Sequence, residues 1–259
     1  MSASISAQTL DNAEKKSGRK ILVSDPIKEK ARKNVMYFAI VSMVMLFGGL
    51  TSAVIVAKGG NFWVSTRLPG AFWISSGLIL LSSLTAILTQ RAIAAGKLET
   101  TKLFITITLL LGIGFGIFQF QGYKQMVDGG YLLTSRILDD DGSFVPTGVY
   151  GKDFTVTWKG ESLKYEDGIF YKSTGPLSET EKLKLTWTRN TASSFIYILT
   201  FLHLLHMLGG IIYLLVVTVY AFQYRFNSSN YLKIKLSNIY WHFLGILWIY
   251  LFVFLQYIH

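Results

Sequence analysis

Residues 193–222 read SSFIYILTFLHLLHMLGGIIYLLVVTVYAF and contain no Asp, Glu, Lys or Arg. A helix rises 1.5 Å per residue, so this stretch is about 45 Å long as a helix and exceeds a hydrocarbon core of about 30 Å. Only helices and closed barrels pair all their backbone polar groups inside lipid. The stretch therefore predicts a helix that spans a membrane.

Four further apolar runs lie at Asn34–Ala57, Gly70–Ala95, Leu103–Tyr123 and Ser237–Ile258. Arg91 is the only ionised residue in any of the five runs. They lack the polar stripes at helical period that helices of a soluble bundle show. The chain is 51% apolar, which agrees with a membrane class. We predict an all-α membrane protein built as a five-transmembrane-helix bundle.

The positive charge of the chain predicts its orientation. Eight of the 25 Lys and Arg residues precede residue 34, and the net charge is +10. The second and fourth of the connections between successive spans fall on the same side of the membrane as this tail. They add the basic residues Lys97, Lys102, Arg225, Lys233 and Lys235 to that side. The positive-inside rule then predicts a multi-pass protein of the cell inner (cytoplasmic) membrane, with the N-terminus cytoplasmic and the C-terminus extracytoplasmic. A basic tail beside a membrane segment does not indicate nucleic-acid binding.

A long polar segment separates the third and fourth spans. Residues 124–190 carry nine basic and ten acidic residues, and Phe154, Val156 and Trp158 alternate as in a strand. We predict strands on both sides of a hairpin turn at Asp167-Gly168 and a further strand at Lys184–Trp187. Asp139–Gly142 lacks the ligand spacing of a calcium loop and predicts a solvated turn. The domain organisation is a cytoplasmic basic tail at 1–33, helices 1–3 at 34–123, a small β-rich extracytoplasmic insertion at 124–190 and helices 4–5 at 191–259.

Three histidines are the candidate functional groups inside the spans. His203 and His206 share a face of the fourth helix, and His242 opens the fifth. The alternatives are a metal or haem site, a proton relay and hydrogen bonding between helices, and we favour the last because the spans hold no carboxylate to support a metal ligand. The chain has no Cys, which excludes disulfides and thiolate chemistry. Close helix packing is predicted at the small residues Gly48, Gly49, Gly112, Gly116, Gly209 and Gly210.

Two motifs carry a family resemblance. TFLHLLHMLGG at 200–210 and YWHFLGILW at 240–248, which includes Trp241, His242 and Trp248, resemble the last two helices of subunit III of haem–copper cytochrome c oxidases. FGGLTSA at 47–53 and LLSSLT at 80–85 are similar to the same family, so the likeness covers all five spans.

The resemblance implies a subunit without a catalytic centre of its own. Such a subunit supports assembly, lipid retention and proton uptake in a proton-pumping oxidase of aerobic respiration, beside the catalytic haem–copper subunit I and subunit II. Haem and copper are then expected in those partners, with no cofactor or metal in this chain except bound phospholipid. The five spans would match the last five of a seven-helix form, so that any second wall of its lipid cleft would come from a neighbouring subunit.

Three departures from the family pattern limit what can be carried over. Met43 follows Ser42 where a carboxylate is frequent, and Gly245 replaces an acidic residue. The insertion is long, and we expect it to contact a cytochrome c, another electron-donor complex or a neighbouring subunit. Alternatives are subunit III of a quinol oxidase, a homologue associated with nitric-oxide reductase and, more distantly, a small membrane transporter or a metalloenzyme that uses the three histidines.

Overall fold

The computed structural model describes residues 26–60, 62–139, 142–166, 169–223 and 231–258. Within these residues the five long helices are α1 Pro26–Gly60, α2 Gly70–Ala94, α3 Leu98–Asp128, α5 Thr191–Phe222 and α6 Leu232–Ile258. Each is long and apolar enough to cross a membrane, so the predicted five-helix bundle is confirmed. Hydropathy marks only the apolar centre of a helix, and α3 extends five residues beyond each predicted end.

The helices alternate in direction, so their ends collect at two ends of the bundle. The end that bears the segment between α3 and α5 is called the insertion end here. α2 and α3 form the most extensive contact and are joined at the opposite end by a tight turn, in which Gly96 has a φ of +72°. α6 packs on α2 and α5, while α1 packs less extensively on α5 and α6. Most of the buried apolar side chains form one core.

A three-stranded antiparallel sheet joins two connections at the insertion end. Its strands are β1 Phe62–Thr66, between α1 and α2, β2 Phe154–Trp158 and β3 Glu161–Ser162. Phe62 pairs with Trp158 and Thr66 with Phe154. The alternation at 154–158 correctly predicts β2, whereas β1 has no counterpart in the sequence-based prediction.

A second sheet contains β4 Lys164–Glu166, β5 Ile169–Lys172 and β6 Gly175–Pro176. β4 and β5 pair antiparallel as the predicted hairpin, and the small β-rich insertion is confirmed. The predicted turn at Asp167-Gly168 lies outside the described residues, as do Asp140 and Asp141 of the predicted acidic turn and most of the basic tail.

The prediction of a strand at Lys184–Trp187 is wrong, because those residues end helix α4, Glu179–Trp187. The Ser178 hydroxyl accepts a hydrogen bond from the Glu181 amide, and the Glu181 carboxylate accepts from the Ser178 amide, which forms a capping box. Hydrogen bonds from the Lys172 ammonium group and from Ser178 lower the pKa of the Glu181 carboxyl to about 2. This N-terminal cap favours a helix over the four-residue alternation that suggested a strand.

Backbone hydrogen bonds hold the insertion onto the start of α5. The Ile137 amide donates to the Thr188 carbonyl at 3.3 Å, and the Asn190 amide donates to the Ser135 carbonyl at 2.7 Å. The Tyr197 hydroxyl donates to the Tyr131 carbonyl at 2.9 Å. The segment after α3 is therefore tied to the first turns of α5.

Candidate functional site

Two tryptophans of α6 donate hydrogen bonds to serines of α2. The Trp241 indole N–H lies 2.9 Å from the Ser82 hydroxyl, and the Trp248 indole N–H lies 2.9 Å from the Ser76 hydroxyl. All four residues are buried. Each serine also donates its own proton to a carbonyl, Ser82 to that of Thr108 on α3. The indoles therefore pair with oxygens that would otherwise have an unused lone pair in an apolar interior.

Asn238 extends this polar contact toward the other end of α6. Its side-chain amide donates to the Ala86 carbonyl at 2.7 Å and to the Gln90 side chain at 3.3 Å. Between the two tryptophans, a Cβ on Gly245 would lie 3.2 Å from the Ser83 hydroxyl, so the backbones of α2 and α6 approach closely there. Positions 238, 241, 245 and 248 thus form one continuous face of α6 against α2.

Trp241 also fills the space between α3 and α5. A Cβ added to Gly112 of α3 would lie 2.5 Å from its Cη2 atom, and one added to Gly210 of α5 would lie 3.5 Å from its Cζ3 atom and 3.0 Å from Leu244. Both glycines therefore lie where a neighbouring helix approaches closely. For Gly48, Gly49, Gly116 and Gly209, such a Cβ would have no atom of another described helix within 4 Å, so they do not lie at close contacts between helices of the described chain.

The three histidines do not meet at one site. His203 is fully buried, with its ring centroid 5.2 Å from that of Trp248 and 6.0 Å from that of Phe115. Neither of its ring nitrogens has a hydrogen-bond partner among the described residues. The Nδ1 atom of His206 lies 2.7 Å from the Leu202 carbonyl of its own helix, and its ring packs against Phe47 of α1.

The interhelical hydrogen bonds expected of the histidines are consequently not seen in the part of the chain that the structure describes. Aromatic rings surround His203, and His206 bonds one turn back along α5, since a carbonyl four residues earlier is the nearest acceptor for a helical side chain. His242, on α6, is partly buried. The described residues contain no group of three or more His, Asp or Glu side chains placed to hold a metal ion.

A groove separates the first part of α1 from α5 and α6, at the end opposite the insertion. It has a volume of about 640 Å³ and is lined mainly by apolar atoms, with Arg32 and Lys233 among its residues and Tyr213 and Tyr240 beside them. α1 closes onto the bundle farther along, where the Tyr250 hydroxyl bonds to the Thr51 hydroxyl at 3.1 Å. The residues of this chain that line the groove come from α1, α5 and α6.

Comparison with known proteins relates this bundle to respiratory oxidases. The family model described as cytochrome c oxidase subunit III matches residues 170–259, which include α5 and α6. Cytochrome bo(3) ubiquinol oxidase subunit 3 of Buchnera aphidicola subsp. Baizongia pistaciae (strain Bp) is 30% identical over 67 residues, which cover 26% of this chain and 34% of that protein. Cytochrome c oxidase subunit 3 of Squalus acanthias is 26% identical over 141 residues, which cover 43% of this chain and 54% of that protein. Cytochrome c oxidase subunit 3 of Petromyzon marinus is 24% identical over 102 residues, which cover 39% of each chain.

The chain resembles the cytochrome c oxidase subunit III family over its last two spanning helices. It spans between about a third and about half of the length of the curated relatives that it matches. The chain is thus a multi-pass membrane protein, and the resemblance read from its last two spans is confirmed by the family model.

The residues that join the helices were only partly predicted. Trp241, Trp248 and Gly210 were identified from the motifs, but Asn238 was not, and no bond from the tryptophans to Ser82 or Ser76 was predicted. Ser75, Ser82 and Thr89 are spaced by seven residues and are all buried. That spacing equals two helical turns, so a recurring hydroxyl on one face of α2 was the available signal for Ser82, whereas Ser76 lies outside the series.

Proposed function

We propose that the chain is the non-catalytic subunit III of a proton-pumping haem–copper cytochrome c oxidase in aerobic respiration. It binds the catalytic subunit I and subunit II, which carry the haem and copper, and it supports assembly, lipid retention and proton uptake. One observation carries the proposal: Trp241 and Trp248, which lie in the motif shared with the family, bond α6 to α2. The matching residues thus hold a bundle together, as a supporting subunit requires.

Purification in mild detergent tests this function. We expect the chain to co-purify with a many-spanning partner that contains haem and copper. We also expect the complex without this chain to start at a similar turnover and then to lose activity within fewer turnovers. Haem bound by the isolated chain, or co-purification with a substrate-binding transporter partner, would contradict the proposal.

The electron donor distinguishes a cytochrome c oxidase from a quinol oxidase. Two of the relatives named above are cytochrome c oxidase subunits, and the third is a ubiquinol oxidase subunit, so a quinol oxidase is the second candidate. Oxygen consumption by the purified complex with reduced cytochrome c, compared with a quinol, distinguishes them. We expect cytochrome c to be the donor, and quinol-only activity would favour the alternative.

The proposed orientation follows from basic residues at the end opposite the insertion. Lys97 lies in the turn between α2 and α3, and Lys235 lies in the first turn of α6, whereas the insertion occupies the other end. We propose that the insertion faces the extracytoplasmic side of the inner membrane. Because the chain has no Cys, a single Lys164→Cys or Lys235→Cys variant can be labelled in intact cells by an impermeant maleimide. Labelling of position 164 alone is expected, and labelling of position 235 alone would reverse the orientation.

The groove beside α1 is the proposed site of a bound phospholipid. Apolar walls suit an acyl chain, and the cationic Arg32 and Lys233 side chains suit an anionic headgroup at the level of the membrane surface. We expect an Arg32→Gln, Lys233→Gln variant of the complex to retain less anionic phospholipid, measured by mass spectrometry of extracted lipid. Lys235→Gln is the matched control, because Lys235 is exposed and does not line the groove. Equal lipid content in both variants would contradict the site.

A further inference from the structure

Helix α4 presents an exposed apolar face. Leu183 and Trp187 lie four residues apart and so share a face, and they are 63% and 64% exposed. Leu185 points to the opposite side and is buried. The helix therefore has one apolar residue, Leu185, in the core of the insertion and two apolar residues on the opposite side that are mostly exposed.

The position of α4 along the chain places this face beside the membrane. Trp187 precedes the start of α5, Thr191, by four residues, and the Asn190 side chain accepts a hydrogen bond from the Ser193 amide as the N-cap of α5. α5 has 32 residues, a length of about 48 Å, which slightly exceeds the roughly 40–45 Å of a bilayer with its headgroup regions. The residues just before α5 thus lie at the level of the headgroups.

The exposed apolar surface continues from α4 to the lipid-facing side of α5. Leu132 and Leu133 are 45% and 51% exposed, and the Leu133 carbonyl accepts a hydrogen bond from the Ser194 hydroxyl in the first turn of α5. Ile198, one turn after Ser194, begins the exposed stripe of α5 that continues through Phe201, Leu205, Leu208 and Ile212. The segment after α3 therefore bridges the face of α4 and the surface that meets acyl chains.

Polar and aromatic neighbours fit the same location. The Arg136 guanidinium group lies 5.0 Å from the centre of the Trp187 ring, and Lys182 pairs with Glu179 on the edge of the exposed face. Cations that flank an apolar face suit the phosphate level of a membrane. Trp73 and Tyr257 are exposed near the same ends of α2 and α6, at 58% and 85%, as in the aromatic belt of membrane proteins.

We propose that α4, together with Leu132 and Leu133, is an interfacial anchor that inserts Leu183 and Trp187 into the leaflet at the insertion end. The occupant of this face is the lipid surface itself. The anchor fixes the insertion against the membrane and sets its height above the spans. It does not depend on the electron donor or on membership of an oxidase complex.

Site-directed spin labelling tests the anchor in the full complex reconstituted in lipid nanodiscs. The chain has no native Cys, so Leu183→Cys and Trp187→Cys each give one label in it. Phe201→Cys on α5 is the lipid-exposed reference, and Glu166→Cys on the exposed strand β4 is the aqueous reference. The measurement is the collision rate of each label with oxygen, which concentrates in lipid, and with a water-soluble nickel chelate.

The proposal predicts that labels at 183 and 187 collide with oxygen several-fold more often, relative to nickel, than the label at 166. Ratios equal to that at 166 would overturn it, because the face would then lie in water. Low collision rates with both reagents would also overturn it, since a protein partner would then cover the face. Quenching of tryptophan fluorescence by lipids brominated near the headgroup provides a label-free check. The Trp187→Phe variant should lack a quenched component that the parent protein shows. An equal quenched fraction in the two proteins would contradict insertion.

Discussion

Replacement of Gly112 by Ala places a methyl group against Trp241. The added Cβ would lie 2.5 Å from Cη2 and 2.8 Å from Cζ2 of the indole, whereas carbon atoms in contact are normally about 3.5–4.0 Å apart. The ring must therefore retreat by about 1 Å. Its N–H is held by Ser82 at 2.9 Å, so the retreat also strains that hydrogen bond.

The expected loss follows from these two effects. Overpacking of a close contact destabilises by about 1–3 kcal/mol, and a weakened hydrogen bond adds up to about 1 kcal/mol. The better helix propensity of Ala offsets about 0.5–1 kcal/mol. We expect Gly112→Ala to lower the free energy of unfolding by about 1–3 kcal/mol. Gly116→Ala, one turn along α3 with no atom within 4 Å of the new Cβ, is the matched control and should be neutral or slightly stabilising.

A second substitution tests the cause. Trp241→Phe removes the two ring atoms that the methyl group would meet, so the double variant should lose less than the sum of the two single losses, by about 1 kcal/mol or more. The assay is reversible unfolding of the purified chain in mixed micelles with increasing denaturing detergent, followed by circular dichroism. Equal stabilities of the Gly112→Ala and Gly116→Ala variants, or strictly additive losses in the double variant, would refute the close contact.

Three further predictions use the same unfolding measurement or a pH titration. Trp248→Phe keeps a six-membered aromatic ring but removes the five-membered ring and its N–H donor to Ser76, so it should cost at least about 1 kcal/mol. Ser76→Ala in that background should then add little. His203→Phe should leave stability equal or higher, because it removes two buried nitrogens that have no partner among the described residues. His203→Gln should lower stability, and the reverse order would contradict the apolar surroundings of this side chain. The Glu181–Lys172 pair contributes stability to the insertion that is fully present above the usual carboxyl pKa and is lost as the pH falls through about 2. The circular dichroism of the parent protein should therefore change as the pH falls from the usual carboxyl pKa to about 2, and the change should be smaller in Glu181→Gln.

The five-helix bundle was predictable because the composition of each span alone indicates a spanning helix. A run of about 20 apolar residues specifies a spanning helix wherever its neighbours lie. Strand β1 was missed for the opposite reason, since FWVST at 62–66 is a short segment that becomes a strand only by pairing with β2, more than eighty residues later. Helix α4 was mistaken for a strand although its capping box, Ser178 with Glu181, was present in the sequence.

In the candidate site too, features within one helix were predictable from the sequence, whereas contacts with distant segments were not. The motif around Trp241 and Trp248 identified the face of α6 that matters, but it did not identify what that face contacts. The partners are Ser82 and Ser76 on α2, some 160–170 residues earlier in the chain. For His203 the expectation of a hydrogen bond followed from its polarity alone, and the two aromatic rings packed around it are brought there by α3 and α6.

The pairing of β1 with β2 changes how a role for the insertion must be tested. Deletion of residues 142–176 would remove β2, and with it the partner of β1 and the stacking of Trp158 on Phe62, whose ring centroids are 4.1 Å apart. Loss of assembly in such a deletion could therefore result from disruption of the connection between α1 and α2, and would not by itself indicate a lost contact with an electron donor. A substitution of exposed residues on β4, such as Lys164 and Glu166, leaves the first sheet intact. If donor binding weakens in that variant while assembly is normal, the insertion contacts the donor, and if both are normal, its structural role at the bundle end is sufficient.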